Sequence, residues 1–262
     1  MKTIDKKSFN HEDFYLKLDT DVIGRNFVEV DEIDSTNAFL LKTNDYNQNG
    51  TVILADYQTA GRGRREREWI SAKELNLTFS VLLNNNLDKV NVNLLILGSA
   101  LAVAQALENL YQLNVELKWP NDVLVKRKKI CGILLESSAK GSKLDKLVIG
   151  FGINVNQVNF PGKYNITPTS VKSEFKSTVE RERLLAEILN NLEAIFIELV
   201  KTPEKVLDAW RDRCKMLGEK IKIEDDGKAR FGIFDNIDQN GFILLKTPEG
   251  REKVHIGDVS IR

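Results

Sequence analysis

Four arginines and two glycines fall in one run, Gln58-Thr59-Ala60-Gly61-Arg62-Gly63-Arg64-Arg65-Glu66-Arg67-Glu68-Trp69. Guanidinium forks match phosphate and carboxylate oxygens, and glycine lets a backbone approach a ligand closely. The run is suited to holding an anion; a solvated loop with its arginines paired to Glu66 and Glu68 is the competing reading. Lys118-Trp119-Pro120-Asn121-Asp122 interrupts a strand-rich region with a proline, followed by two residues able to orient a nucleotide or an amine. A simple strand crossing would account for it equally well. In Lys129-Ile130-Cys131-Gly132-Ile133-Leu134-Leu135-Glu136 a lysine enters an apolar strand, either as a functional cation or as a surface charge at a hairpin end. In Gly150-Phe151-Gly152-Ile153-Asn154-Val155-Asn156 alternate glycines strip one face of a strand and leave room for a flat ligand, unless they mark bulges.

The elements that would position these residues follow from pattern. Residues 1 to 20 are polar and mixed in charge without a strong period, and Phe27 to Val30 alternate as a strand. Asp34 or Ser35 is a plausible N-cap for a short helix opening at Ala38 to Leu41. Val52 to Tyr57 and Leu77 to Leu83 read as strands flanking the arginine loop. From Val92 to Leu113 apolar residues recur at helical spacing, which predicts a long helix packed on a sheet. Strands at Val115 to Lys118, Val123 to Lys126, Ile130 to Glu136 and Leu147 to Val155 form an antiparallel meander, with Lys126 to Lys129 as a hairpin turn. Ser177-x-x-Glu180 is a capping-box pattern before a helix running through Val200, and Thr202-Pro203-Glu204 opens another. Beyond Cys214, short β-like runs separated by Asp-Gly, Asn-Gly and Glu-Gly turns predict a small all-β barrel.

Composition narrows the classes. The chain has 262 residues, enough for a large core, and 38 Lys+Arg balance 38 Asp+Glu, so any basic surface is local. Two cysteines without metal-ligand spacing and no uninterrupted apolar run of membrane-spanning length predict a soluble, reducing, cytoplasmic setting. With only His11 and His255, a histidine triad or His-rich metal centre is disfavoured. Catalysis must rest on Lys, Arg, Asp, Asn and backbone amides.

Taken in order, Ser35-Thr36-Asn37, the GRGRR…W loop, KWPND, K-x-x-GIL-x-E and G-x-GIN-x-N resemble the biotin protein ligase family, in its form without an N-terminal DNA-binding domain. The resemblance runs from Val22 to Arg262, and the tail Gly257-Asp258-Val259-Ser260-Ile261-Arg262 is similar to the family's C-terminal domain. It implies an α+β fold: a class II synthetase-like catalytic domain with a central mixed or antiparallel sheet and flanking helices over residues 21–213. An extension at 1–20 would precede it and an SH3-like β-barrel at 214–262 would follow. It implies condensation of biotin with ATP to biotinyl-5′-AMP, then transfer of the biotinyl group to a lysine of a biotin carboxyl carrier protein. Biotin and ATP are the substrates, with Mg²⁺ expected to accompany ATP. No DNA or membrane partner is expected, and a homodimer is left open.

By the same resemblance, Ser35, Thr36 and Gln58 hydrogen-bond biotin's ureido head, and Gly61, Arg62, Lys129 and Gly132 line its path to the carboxylate. Gly150 and Gly152 flank the ligand near the junction, with Trp69, Asn121 and Asn154 on the adenylate side. Arg64, Arg65 and Arg67 serve the phosphates or order the loop. Arg62, Lys129 and Asp122 are the catalytic candidates: the two cations offset repulsion between carboxylate and α-phosphate, and Asp122 orients or deprotonates the acceptor lysine. One position departs from the family, since Glu66 stands where a glycine usually follows the paired arginines; it cannot take positive φ cheaply and adds negative charge beside phosphates. The alternatives are a lipoate ligase or octanoyltransferase of related fold, a non-enzymatic biotin-binding module, and a nucleic-acid-binding regulator. The last lacks room before Ser35 for a DNA-binding domain.

Overall fold

The computed structural model describes residues 9–85, 87, 91–141, 143–225, 227–255 and 257–261. Phe9, Phe14 and Leu18 are buried, and a helix, α1 (His11–Lys17), is capped by the Asn10 side chain. The described residues of the supposed extension therefore pack into the main core. Its apolar residues are too few to show a period, but they pack against Phe27 and against the helix at residues 181–201.

The seven strands of the main sheet are β1 (Phe27–Ile33), β2 (Val52–Gln58), β3 (Leu77–Leu83), β4 (Val115–Lys118), β5 (Asp122–Val125), β6 (Lys128–Lys140) and β7 (Lys143–Ile153). Their order is β1-β2-β3-β7-β6-β5-β4. β1 and β2 run parallel, joined through the short helix α2 (Thr36–Lys42), and the other neighbours pair antiparallel. The sheet is therefore mixed, as expected. Lys126 and Arg127 both adopt left-handed backbone (φ 51° and 62°), which makes the two-residue β5–β6 turn without the usual Asn-Gly.

Alternation along β7 sends Leu147, Ile149 and Phe151 to the large core and Val148 to the opposite face, where it meets Leu40 of α2 with Ile53 and Leu82. The large core is closed by α3 (Val92–Tyr111), α5 (Arg181–Lys201) and α6 (Pro203–Arg213), with the one-turn α4 (Val171–Phe175) meeting the end of α3 through Phe175 and Tyr111. α3 has the length and apolar composition of a membrane span, with a mean hydropathy of 1.4, and it is mostly enclosed by this core. The expected capping box does not form. Asn156 bonds both the N–H and the C=O of Val179, which keeps the segment extended, so α5 begins at Arg181 with Glu180 as N-cap. The Arg181 guanidinium is itself buried 3.0 Å from Asp56.

Residues beyond Cys214 form the SH3-like unit: β8 (Lys220–Asp225), β9 (Lys228–Ile237), β10 (Ile243–Thr247), β11 (Gly250–Val254) and β12 (Asp258–Ile261), antiparallel in the order β11-β10-β9-β8-β12. The buried Trp119 donates its indole N–H to Gly241 O at 2.9 Å, which seats this unit against the KWPND segment. The Trp119–Pro120 bond is cis.

Candidate active site

Where β6 and β7 pair Gly132 with Gly152 and Leu134 with Gly150, the sheet opens into a cleft of about 870 Å³. Of the residues singled out in the sequence, Ser35, Thr36, Gln58, Arg62, Arg64, Arg67, Trp69, Asn121, Asp122, Lys129, Gly132, Gly150, Gly152 and Asn154 line it. Gly61 stands just behind, where a side chain would strike Trp69 O and the Gln58 amide. Arg65 points away, to Asp225 at 2.7 Å.

At one end, α2 begins over β7. Ser35 caps it by accepting from Ala38 N, and the Gln58 carbonyl accepts from both the N–H and the hydroxyl of Thr36, at 2.8 and 3.0 Å. Buried Ser80 lies 2.6 Å from both Thr36 Oγ1 and Asn37 Oδ1. Asn37 Nδ2 in turn donates to Leu134 O and to Glu136, whose carboxylate also pairs with Arg62 at 3.2 Å. A chain of polar side chains thus joins the start of α2 to the first arginine of the loop.

At the centre, Asp122 sits between two ammoniums, Lys129 at 2.6 Å and Lys118 at 3.8 Å. Lys129 also lies 5.7 Å from the centroid of the Trp69 ring, so it is a cleft cation; the hairpin end itself is Lys126, which pairs with Glu174. Burial lowers the Lys118 pKa, and the neighbouring Lys129 lowers it further against the pull of Asp122. An anion entering here meets two ammoniums held by one carboxylate.

The glycine-stripped face is not left open. A Cβ on Gly152 would lie 2.2 Å from the Trp69 indole, and one on Gly150 2.3 Å from Asn37 Oδ1. The flat group seated on Gly152 is the chain's own tryptophan and Gly150 is covered by the Asn37 amide, which corrects the expectation of vacant space for a ligand. Its indole N–H is buried without a hydrogen-bond partner, a donor for which a ligand atom would be a natural acceptor. Asn121 and Asn154 are buried, and their amides donate to Ile133 O and Thr169 O, so both shape the cleft wall through backbone bonds.

The arginine loop closes the other end. Gly63 and Arg67 pair by backbone around a tight turn, Arg64–Glu66, and the left-handed residue there is Arg65 (φ 55°). The strain expected at Glu66 therefore falls one residue earlier. Arg64 bonds Asn121 and Gly257 O, and with Arg67 it pairs to Asp258. Burial tends to raise the Asp258 carboxyl, but the Arg67 hydrogen bond and the charges of Arg67, Arg64 and Arg65 outweigh it and hold that carboxyl below the usual range. Burial dominates at Arg64 and lowers its pKa, with Asp258 and Asp122 opposing. Compensation of the loop by Asp225 and Asp258 of the C-terminal unit was not visible in the sequence. Lys118, Asn37, Glu136 and Asp258 stand inside the quoted motifs, yet nothing local marked them as contacts; Ser80 carried no signal at all.

A cleft that gathers cations around one carboxylate, beside a polar pocket built at a helix start, is suited to joining two anions, as a carboxylate-activating ligase does. Residues 29–154 match the biotin/lipoate A/B protein ligase family, and residues 216–262 match the biotin protein ligase C-terminal domain. The chain is 32% identical to the bifunctional ligase/repressor BirA of Bacillus subtilis, over 93% of this chain and 76% of that protein. It is likewise 32% identical to a biotin–[acetyl-CoA-carboxylase] ligase of Paracoccus denitrificans, over 86% and 96%. Its fold superimposes on the Aquifex aeolicus biotin protein ligase solved with biotin and ATP at a TM-score of 0.81, with 31% identity over 91% of this chain and 99% of that one. The chain belongs to the biotin protein ligase family. It is a biotin ligase, and biotin and ATP are what the Aquifex aeolicus relative holds in its solved structure.

Proposed function

We propose that the cleft carries out both half-reactions with a fixed division of labour. The ureido head of biotin binds at Ser35, Thr36 and Gln58, where one amide and one hydroxyl already share a single acceptor. The valeryl chain runs past Gly132, so its carboxylate reaches Lys129. A carboxylate oxygen attacks the α-phosphorus of ATP and pyrophosphate leaves, while Lys129 and Arg62 offset the repulsion between the two anions. Trp69 shifts or stacks to accept the adenylate, and Arg64 and Arg67 hold its phosphate side. In the second half-reaction the acceptor lysine's neutral amine attacks the acyl carbon and AMP leaves. Asp122 orients that amine and takes the proton it sheds.

Among the described residues no group of three His, Cys, Asp or Glu is placed to hold a metal ion. Mg²⁺ would accompany the triphosphate and neutralise its charge. The acceptor is a biotin carboxyl carrier protein or domain.

One observation supports this reading above others: the head-group pocket and the Lys129–Asp122–Lys118 cluster open into one cleft. The test is incubation with biotin, radiolabelled ATP and a carrier domain. Labelled biotinyl-AMP and biotin on the carrier are expected; adenylate formed on lipoate or octanoate in preference to biotin would overturn the assignment.

A further inference from the structure

Lys146 takes no part in the chemistry above, yet only 4% of it is exposed. Its ammonium donates to Leu40 O at 3.2 Å and to Thr43 O at 2.5 Å, in the last turn and C-cap of α2. Burying an ammonium is unfavourable unless its donors are satisfied, and the negative end of a helix is a favourable place for it.

The alternation of β7 places Lys146, Val148, Gly150 and Gly152 on one face. Val148 packs with Leu40, and Gly150 lies directly under Asn37. The strand therefore meets α2 at three levels: a cation under its C-terminus, an apolar contact at its middle and a bare backbone under its start. A helix of seven residues cannot hold its own position. We propose that Lys146 is a positioning residue for biotin recognition: by clamping the final carbonyls of α2 onto β7 it fixes where Thr36 and Asn37 stand over Gly150. The proposal rests on Thr36 and Gln58 being the head-group pocket.

Three variants, Lys146→Met, Lys146→Arg and Thr36→Val, are compared by their KM for biotin and for ATP in adenylate synthesis. Lys146→Met removes the donors but keeps the length, and is expected to raise the biotin KM about tenfold while leaving that for ATP unchanged. Lys146→Arg retains donors and should recover most of the loss. Equal rises in both constants, or an unchanged biotin KM, would overturn the proposal. Thr36→Val tests the pocket itself: if it raises the biotin KM and Lys146→Met does not, the pocket stands and the clamp falls. If Thr36→Val has no effect, the pocket assignment fails first. Should Lys146→Met not fold, hydrogen exchange of the wild-type enzyme decides. Amides of residues 39–43 must gain protection on adding biotin, and no gain refutes the clamp.

Discussion

Gly152→Ala is the sharpest perturbation available in the cleft, because a single methyl group is all it adds. Gly152 does not occupy the left-handed region, so alanine brings no backbone strain and no loss of strand geometry. The new Cβ would stand 2.2 Å from Trp69 Cε2 and 2.6 Å from Cζ2 and Nε1. The indole must therefore retreat by roughly 1 Å to reach ordinary contact. Overpacking of this kind costs about 1–3 kcal/mol, and a chain of this size loses about 2–4 °C of Tm per kcal/mol. A shift of about 1 Å in a group that holds substrate lowers the rate on the order of 100-fold. The assay is single-turnover synthesis of biotinyl-AMP alongside thermal melts of wild type, Gly152→Ala, Trp69→Ala and the double variant. The two substitutions should couple, with Gly152→Ala harmless to stability once the ring is gone. Additive stability losses, or adenylate synthesis within about threefold of wild type in Gly152→Ala, would refute the claim that Trp69 occupies this face and serves the adenylate.

Lys129→Ala should slow adenylate synthesis on the order of 100-fold, the usual loss for one preorganised charge contact, while Lys128→Ala stays near wild type; equal effects in both, or a defect confined to transfer from preformed biotinyl-AMP, would contradict the role. Asp258→Asn should loosen the arginine loop and raise the KM for ATP. In the wild type the Asp258 carboxyl is held low, so its pairing persists through the ordinary carboxylate range and is lost only as pH falls through the depressed value, which exchange of the 61–69 amides against pH would show. Lys118, whose pKa is lowered by burial, should take up protons at alkaline pH when an anionic ligand raises it again. Calorimetry in buffers of different ionisation enthalpy detects that uptake, and Lys118→Met should abolish it.

The strands and the long helices were legible because their signals are local. The strand run at Leu77 to Leu83, helical spacing from Val92 and the proline at 203 each specify an element within a few residues. Ser35 was legible as a cap for the same reason. The start of α5 was not, because Asn156, a residue from a different part of the chain, holds Val179 extended. α1 likewise took its place from a surface that only the folded chain provides.

The candidate site divides along the same line. Residue types in ordered motifs determined which groups were present: the arginines, Lys129, Asp122 and the bare glycines. Tertiary structure alone decided what each one faces. It seated Trp69 on Gly152, bridged Asp122 between Lys118 and Lys129, tied Arg67 to Asp258 across 191 residues of sequence, and set Lys146 beneath α2. Turn chemistry and periodicity act between neighbours in the chain, whereas charge pairing and close packing act between neighbours in space, and those are chosen only when the sheet, the helices and the C-terminal unit come together.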